Sequence, residues 1–272
     1  MPSRARPLLY LALLAGLVPV LLPFVWMTLT SIKPLPEVIR VPPQLLPAQP
    51  TLQAYVDIFQ QFPFGRYLLN SVLVAAMVVS GVLLVSTLGG YAFAKFRFPG
   101  RDVLFMVMLA SLMVPFQVRM IPLYLMSIRL GLINTLPGVA FPWLFDAFGI
   151  FLMRQFMLTL PSELMEAARI DGASEPAIFL RIVVPLVRPA LAALGIFTLV
   201  VNWEEFLWPL IVTNTDAVRT LPVGLQAFSN QYMSNIHWQM AGAVVAAAPL
   251  LIAFLLFQRQ FIQGIALTGL KD

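Results

Sequence analysis

Long apolar stretches, separated by short polar segments, form the main pattern of the chain. A helix needs roughly 20 consecutive apolar residues to cross the hydrocarbon layer of a membrane, and six stretches reach about that length. Proline and charged residues interrupt the third and the fifth stretch. The pattern predicts an all-α membrane protein with one transmembrane domain over residues 1–272. The predicted spans are about 8–29, 68–94, 103–126, 137–157, 184–213 and 241–262.

Composition agrees with a membrane location. Charged residues make up 11% of the chain, against about 25% in soluble globular proteins, and the mean hydropathy is +0.88. Too few polar side chains are present to cover a water-facing surface. The net charge of +5 does not indicate nucleic acid binding, because the Lys and Arg residues flank apolar runs instead of clustering with aromatic residues.

The distribution of Lys and Arg predicts which loops are cytoplasmic, because short cytoplasmic loops of membrane proteins are enriched in both residues. With a cytoplasmic N-terminus, eleven of the 17 Lys and Arg residues lie on the inner side and six on the outer side. Both termini are therefore expected in the cytoplasm, together with the loop at about 158–183. The Pro-rich outer segment 33–50 is expected to form an extended connector.

The cytoplasmic loop contains a charged, alanine-rich segment, EAARIDGASEPAIFLRIVVP, at residues 166–185. Ser162 favours a helix start, and the residues after it keep a helical period until Asp171-Gly172, a pair typical of a turn. Ser174 can then cap a second short helix. The segment therefore predicts a helix, a tight turn and a second helix near the membrane surface.

One face of the first predicted helix is shallow. Leu164, Ala167, Ala168 and Asp171 fall on one side of it, and the two alanines let another protein approach the backbone closely. Glu166 lies beside this face and offers a charge. A docking helix for a partner protein and an amphipathic helix resting on lipid head groups both fit the spacing, which alone does not decide between them.

The spacing of the segment also matches a known signature. Glu166-Ala167-Ala168 is followed after three residues by Gly172, and after nine more by an Ile-x-Leu-Pro pattern with Val184 at the Leu position. In these residues the chain resembles the permease subunits of binding-protein-dependent ABC importers. Further segments resemble the carbohydrate-uptake subclass and its MalG-like subunits, namely FRFPGRD, FLMRQF, NWEEFLWPL, LPVGLQ and the ending QRQFIQGIALTGLKD.

The resemblance implies a fold and a set of partners. The fold is the MetI-like (type I) permease fold of ABC importers, with six transmembrane helices and a cytoplasmic coupling helix. The partners are a second, MalF-like permease, two copies of a cytoplasmic ATPase, an extracytoplasmic solute-binding protein and membrane lipid, in the inner membrane of a bacterium. ATP and Mg²⁺ would be bound by the ATPase, with no cofactor in this chain. The residues that would dock on the ATPase are Glu166, Ala167, Ala168, Asp171, Gly172 and Pro185.

Polar residues inside the predicted spans are costly to place in lipid and therefore indicate function. Asp146 in the fourth span is predicted to line a water-filled path for a hydroxylated solute, and Gln117 shows the same pattern more weakly. Asn202, Glu204 and Glu205 in the fifth span fit either such a path or a structural role, with the two glutamates near the outer membrane interface.

No pattern of catalytic residues is visible. The chain has no phosphate-binding loop of the form G-x-x-x-x-G-K-[ST]. It has no cysteine and one histidine, His237, so no metal site is expected. The leading hypothesis is a non-enzymatic membrane subunit of an ATP-driven importer, forming half of the translocation path for a sugar or sugar-like solute. A gradient-driven secondary transporter is the alternative, and a scaffold protein without a path is a third hypothesis.

Overall fold

The computed structural model describes residues 5–231 and 235–269, and these residues form helices joined by loops, with no strand among them. The all-α prediction is therefore confirmed. The helices are α1 (Ala5–Ser31), α2 (Leu35–Val38), α3 (Gln53–Gln61), α4 (Phe64–Lys95), α5 (Arg101–Ala110), α6 (Phe116–Arg129), α7 (Leu136–Ala140), α8 (Ala147–Leu158), α9 (Glu163–Ile170), α10 (Glu175–Ile178), α11 (Val184–Leu186), α12 (Arg188–Trp203), α13 (Leu207–Val212), α14 (Leu221–Gln231) and α15 (Ile236–Gly269).

The chain divides into two compact units. The first comprises Met1–Leu68 with Leu221–Pro249, and the second comprises Leu69–Thr220 with Leu250–Asp272. The single transmembrane domain expected from the sequence stays a prediction, and the two units are described separately.

Three of the six expected spans are single helices long enough to cross a membrane. Among the described residues, three helices are long and apolar enough to cross a membrane, and up to six spans result if each of three bent pairs of helices counts as one. The long helices are Leu13–Ser31, Phe64–Lys95 and Ile236–Leu256; the bent pairs are Arg101–Met113 with Phe116–Arg129 (103°), Leu136–Trp143 with Ala147–Leu158 (51°), and Glu175–Leu186 with Arg188–Trp203 (75°).

The third predicted span, residues 103–126, is broken near its middle. Val114 is extended, with ψ at 112°, because a proline such as Pro115 disfavours the helical conformation in the residue before it. The fifth predicted span is also interrupted, since its helix bends at Val187 and ends at Trp203. The apolar pattern correctly located these segments, but it did not show that the helix in each of them is broken and bent.

In the first unit, the outer segment 33–50 is not the extended connector predicted from its prolines. The Thr51 amide donates a hydrogen bond of 2.8 Å to the Ile32 carbonyl oxygen and so joins the two ends of the segment. Within the segment, the Glu37 carboxylate accepts a hydrogen bond of 2.9 Å from the Ala48 amide. The prediction was wrong because these internal hydrogen bonds close the segment into a compact loop.

In the second unit, α4 and α8 pack at backbone distance. Ser86 and Gly90 on α4 are four residues apart, a spacing of small residues that lets two membrane helices approach closely. A Cβ atom added at Gly90 would lie 2.6 Å from the Met153 Cβ and 2.9 Å from the Arg154 backbone nitrogen. A Cβ atom at Gly149 of α8 would lie 2.3 Å from the Ser86 Oγ. The two helices therefore contact each other with only small groups, such as the Ser86 hydroxyl, between their backbones.

We expect Gly90→Ala to destabilise the protein by about 1–3 kcal/mol, because the added methyl group forces α4 and α8 apart. Gly195→Ala is the matched control, since a Cβ atom there would meet its nearest neighbour, the Leu83 Cδ1, at an ordinary 3.6 Å. The measurement is the thermal unfolding midpoint of the detergent-purified chain. Equal midpoints for the two variants would contradict the close packing of α4 and α8.

Candidate functional site

Lys95, the last residue of α4, forms hydrogen bonds to the first residues of the 158–183 loop. The Lys95 ammonium group donates a hydrogen bond of 2.6 Å to the Leu160 carbonyl oxygen and a weaker one of 3.4 Å to the Ser162 hydroxyl. The helix start expected at Ser162 is present, because α9 begins at the next residue. The Ser162 side chain does not cap the helix, and neither does the Ser174 side chain cap α10.

The end of α9 is a Schellman motif, in which two amides beyond the helix return to its last carbonyl groups. The Gly172 amide donates to the Arg169 carbonyl oxygen at 3.0 Å, and the Ala173 amide donates to the Ala168 carbonyl oxygen at 2.9 Å. Gly172 has φ at +80°, a left-handed conformation that glycine adopts without steric cost. The predicted helix–turn–helix is thus present, with Gly172 as its required turn residue.

A small polar network connects the turn to α4. The Arg169 guanidinium donates to the Glu175 carboxylate at 2.5 Å, and the Tyr91 hydroxyl of α4 donates to the same carboxylate at 3.1 Å. The hydrogen bond to Glu175 raises the pKa of Arg169 above its usual value. Both side chains of the ion pair are partly exposed, so it contributes little to stability; its effect is to hold the turn in place.

The exposed face of α9 matches the face expected from the sequence at Leu164, Ala167 and Asp171 and differs from it at Ala168. Met165 is buried at 2% exposure, and Ala168 is half-buried against the core of the second unit. Ala167 and Glu166 are exposed, and Ile170 is 86% exposed. The two alanines are therefore not equally exposed, because Ala168 packs against the core.

The two remaining docking candidates differ in position. Asp171 is the exposed residue at the end of α9, where its amide donates to the Ala167 carbonyl oxygen at 3.0 Å. Pro185 lies in α11, half-buried, two residues before the bend at Val187. The exposed docking candidates are thus those on α9 and its turn.

Asp146 lies between helices and not within one. Its carboxylate caps α8, with Oδ1 accepting from the Phe148 amide and Oδ2 accepting from the Gly149 amide, both at 3.0 Å. Asp146 also lines a cavity of about 210 Å³ in the second unit, and Asn202 lines the same cavity. The structure therefore brings together two of the five residues predicted to face a solute path.

The other three predicted path residues lie elsewhere. Glu205 accepts a hydrogen bond of 3.1 Å from the Trp208 amide at the start of α13 and lines a second, much smaller cavity. Glu204 and Gln117 are exposed and do not line the larger cavity. Glu205 therefore has a structural role at the start of α13. This agrees with the structural role that the sequence left open for Glu204 and Glu205.

Several residues of the larger cavity have no recognisable signal in the sequence. Arg119, Phe148, Phe197 and Thr198 line it, but they come from three helices, α6, α8 and α12, and are typical of membrane helices or their ends. Within the described residues, no group of three or more His, Cys, Asp or Glu side chains is arranged to hold a metal ion.

Comparison with known proteins identifies relatives of the whole chain. The family described as "Binding-protein-dependent transport system inner membrane component" matches residues 86–266, which include α9 and most of the larger cavity. The arabinooligosaccharides transport system permease protein AraQ of Halalkalibacterium halodurans is 38% identical over 252 residues, covering 92% of this chain and 90% of that protein. The sn-glycerol-3-phosphate transport system permease protein UgpE of Brucella abortus is 34% identical over 269 residues, covering 95% of each.

A solved structure has the same fold. A chain from the crystal structure of a bacterial ABC transporter involved in the import of the acidic polysaccharide alginate superposes with a TM-score of 0.82 at 24% identity, covering 96% of this chain and 99% of that chain. The fold is therefore that of an ABC transporter permease. The chain belongs to the family of binding-protein-dependent transport system inner membrane components. The resemblance and the permease fold predicted from the sequence are confirmed, and this membership favours the importer hypothesis over a gradient-driven transporter.

We expect Gly172→Ala to loosen the turn after α9. An L-residue in the left-handed conformation costs about 1–2 kcal/mol, which corresponds to about tenfold more frequent local opening. Nothing lies within 4 Å of a Cβ atom added there, so the cost comes from the backbone alone. The measurement is the rate of trypsin cleavage after Arg169. Gly172→Asn is the control, because Asn tolerates this conformation and should cleave more slowly than Gly172→Ala. Identical cleavage rates in all three proteins would contradict the role of Gly172.

Proposed function

We propose that this chain is the membrane-spanning subunit of an ATP-driven importer, in which it forms half of the translocation path for a sugar or sugar-like solute. The proposal rests above all on α9. This short helix ends in a Schellman motif and carries an exposed apolar residue, Ile170. Partner ATPase subunits would bind ATP and Mg²⁺ and hydrolyse the ATP, so that this chain acts as a transport subunit and not as an enzyme.

The exposed face of α9 suits a protein groove better than a lipid surface. Helices that lie on membranes are rich in Lys and Arg on their polar face, whereas α9 presents Glu163 and Glu166 there. Ile170, at 86% exposure, offers an apolar side chain beside these carboxylates. A cleft with an apolar pocket and a cation on the ATPase would accommodate both, with Ala167 allowing a close approach.

The contacts around α9 can transmit force from the ATPase to the membrane helices. Lys95 holds the start of the loop, and Tyr91 holds the Arg169–Glu175 pair at its end. Both residues belong to the last turns of α4. When ATP binding draws the two ATPase subunits together, a displacement of α9 would move α4 and the helices that begin at Glu175, and so open the path to the outside. Hydrolysis would reverse the movement.

The orientation and the partners follow from the same scheme. The loop that contains α9 lies in the cytoplasm with both termini, although residues 1–4 and 270–272 themselves lie outside the described residues. The assembly includes a second permease of the MalF-like type, two ATPase copies and an extracytoplasmic solute-binding protein. The family name, which describes an inner membrane component dependent on a binding protein, supports the membrane location and the binding protein in this arrangement.

The names of the relatives support a carbohydrate-related solute. AraQ is named for arabinooligosaccharides and UgpE for sn-glycerol 3-phosphate, and both are polyhydroxylated compounds. Asp146 and Asn202, which share a cavity, are the residues of this chain that we assign to the path.

We expect Ile170→Lys to abolish binding of the ATPase. Loss of a central interface residue costs about 2 kcal/mol or more, equivalent to about thirtyfold in affinity. The measurement is the amount of ATPase that co-purifies with the tagged chain from its native membrane. The control is Leu46→Lys, which changes a similarly exposed leucine of the closed outer loop. Co-purification of no ATPase with the unchanged chain, or equal amounts with Ile170→Lys, would contradict the proposed function.

A second variant tests the transmission of force without removing the docking face. We expect Glu175→Gln to keep ATPase binding and to reduce solute uptake per ATP hydrolysed by about fivefold, since a partly exposed hydrogen bond to a charged group is worth about 1 kcal/mol. The measurement compares uptake and hydrolysis in the same proteoliposomes. Asp102→Asn, which removes an exposed carboxylate from an ion pair with Arg101 outside this network, is the control. Unchanged coupling in Glu175→Gln would show that the Tyr91–Glu175–Arg169 network does not transmit the movement.

A further inference from the structure

We propose that the cavity lined by Asp146 and Asn202 binds one neutral, hydroxylated ring of the transported solute, so that this subunit contacts the solute itself. The inference rests on the proposed import function and adds a binding site and a chemical class to it. The cavity has a volume of about 210 Å³ and lies wholly within the second unit.

The cavity lies where helices are interrupted. Ser111 and Leu112 of the 3₁₀ turn after α5, Asp146 before α8 and Asn202 near the end of α12 all line it. Irregular backbone at membrane depth is tolerated only where it is buried in protein or faces a water-filled cavity. Transporters commonly place their solute sites at such interruptions, because the backbone there is available to polar ligands.

Asp146 supplies a fixed acceptor for hydroxyl groups. Each carboxylate oxygen accepts one amide hydrogen bond from the first turn of α8, and a carboxylate offers about four acceptor positions in all. Each oxygen therefore keeps capacity for a hydroxyl donor from a solute. None of the ion pairs among the described residues involves Asp146, so its orientation comes from the α8 amides alone.

Asn202 adds a second polar contact. Its side-chain NH₂ donates a hydrogen bond of 3.0 Å to the Thr198 carbonyl oxygen, which fixes the orientation of the amide. The amide oxygen can then accept from a hydroxyl group. Asp146 and Asn202 together provide acceptors from the residue that caps α8 and from α12.

Aromatic rings form the apolar wall of the cavity. Phe148 and Phe197 both line it, with ring centroids 5.3 Å apart and planes inclined by 47°. Both side chains are exposed. A pyranose or furanose ring has hydroxyl groups around its edge and C–H groups on its faces. Such a ring fits a wall of phenyl groups on one side and oxygen acceptors on the other.

Charge favours a neutral ring over an anion or a cation. The Phe148 and Gly149 amides at the start of α8 are already bonded to Asp146 and are not available to an anionic solute. Arg119 is the one cationic side chain that lines the cavity, and the Asp146 carboxylate opposes it in sign. The volume is below the roughly 300 Å³ typical of pockets for drug-sized ligands, so the site accepts one ring of a solute and not a whole oligosaccharide.

The absence of cysteine from the chain allows a direct test by thiol labelling. The assembled importer with its ATPase carries Val201→Cys, which places a thiol on the cavity wall, and iodoacetamide labelling of this chain is followed by mass spectrometry. Arabinose and maltose serve as neutral probes and sn-glycerol 3-phosphate as the anionic probe. We expect a neutral probe at saturating concentration to slow labelling about tenfold. Leu104→Cys, exposed on α5 and outside the cavity, is the control and should label at an unchanged rate.

A second substitution separates binding from folding. Asp146→Asn keeps the cap of α8, because Asn is as good an N-cap residue as Asp, but it removes the charged acceptor. In the Val201→Cys background it should raise the probe concentration needed for protection by about tenfold, the equivalent of one charge-assisted hydrogen bond.

Three results would overturn the proposal: no protection by either neutral probe, protection by sn-glycerol 3-phosphate alone, or equal protection with Asp146→Asn. ATPase co-purification is measured in the same preparations. ATPase retained with the Val201→Cys protein but no protection would refute the ring site and leave the importer function intact. Absence of ATPase from the unchanged protein would refute the importer function itself.

Discussion

The second unit depends on the close approach of α4 to α8. Gly90 faces the backbone of α8, and the Ser86 hydroxyl faces Gly149, so the contact has no long side chain that could adjust to a displacement. The positions of the last turns of α4 are consequently fixed relative to α8. Tyr91 and Lys95 extend from these turns to both ends of the α9 segment. A single helix contact thus determines where the exposed face of α9 is presented.

The loop shows how far local sequence determines structure. The helix–turn–helix was predictable, because Gly172 occupies a left-handed position that few other residues adopt and the residues before it have a helical period. The partial burial of Ala168 was not predictable from the same residues. It depends on hydrogen bonds from Lys95, which lies more than sixty residues earlier in the chain, and on the burial of Met165. Ala168 was assigned to the exposed face for this reason and is half-buried instead.

The polar residues inside the predicted spans show a second limit of prediction from the sequence. An aspartate inside an apolar stretch was interpreted as lying within a continuous span, whereas Asp146 marks the point where the helix is interrupted and restarts. Apolar composition is the same on both sides of such a break, so hydropathy does not reveal it. The partners of Asp146 in the cavity were also inaccessible to sequence reasoning. Phe197 and Arg119 come near it only because the bent helix pairs fold back, and those bends depend on tertiary packing as much as on proline.

The closed loop between Ile32 and Thr51 has a consequence for how this region of the chain can change. Its two ends are held together by a backbone hydrogen bond, and its internal bonds, such as that between Glu37 and Ala48, do not involve the rest of the first unit. The residues between the ends therefore form a closed loop, whose Lys33 ammonium group also contacts the Trp26 ring of α1. The entropy of closing a loop rises only slowly with its length, so this position can accept a longer or shorter segment while α1 and α3 keep their places. It is therefore a suitable position for introducing an epitope tag.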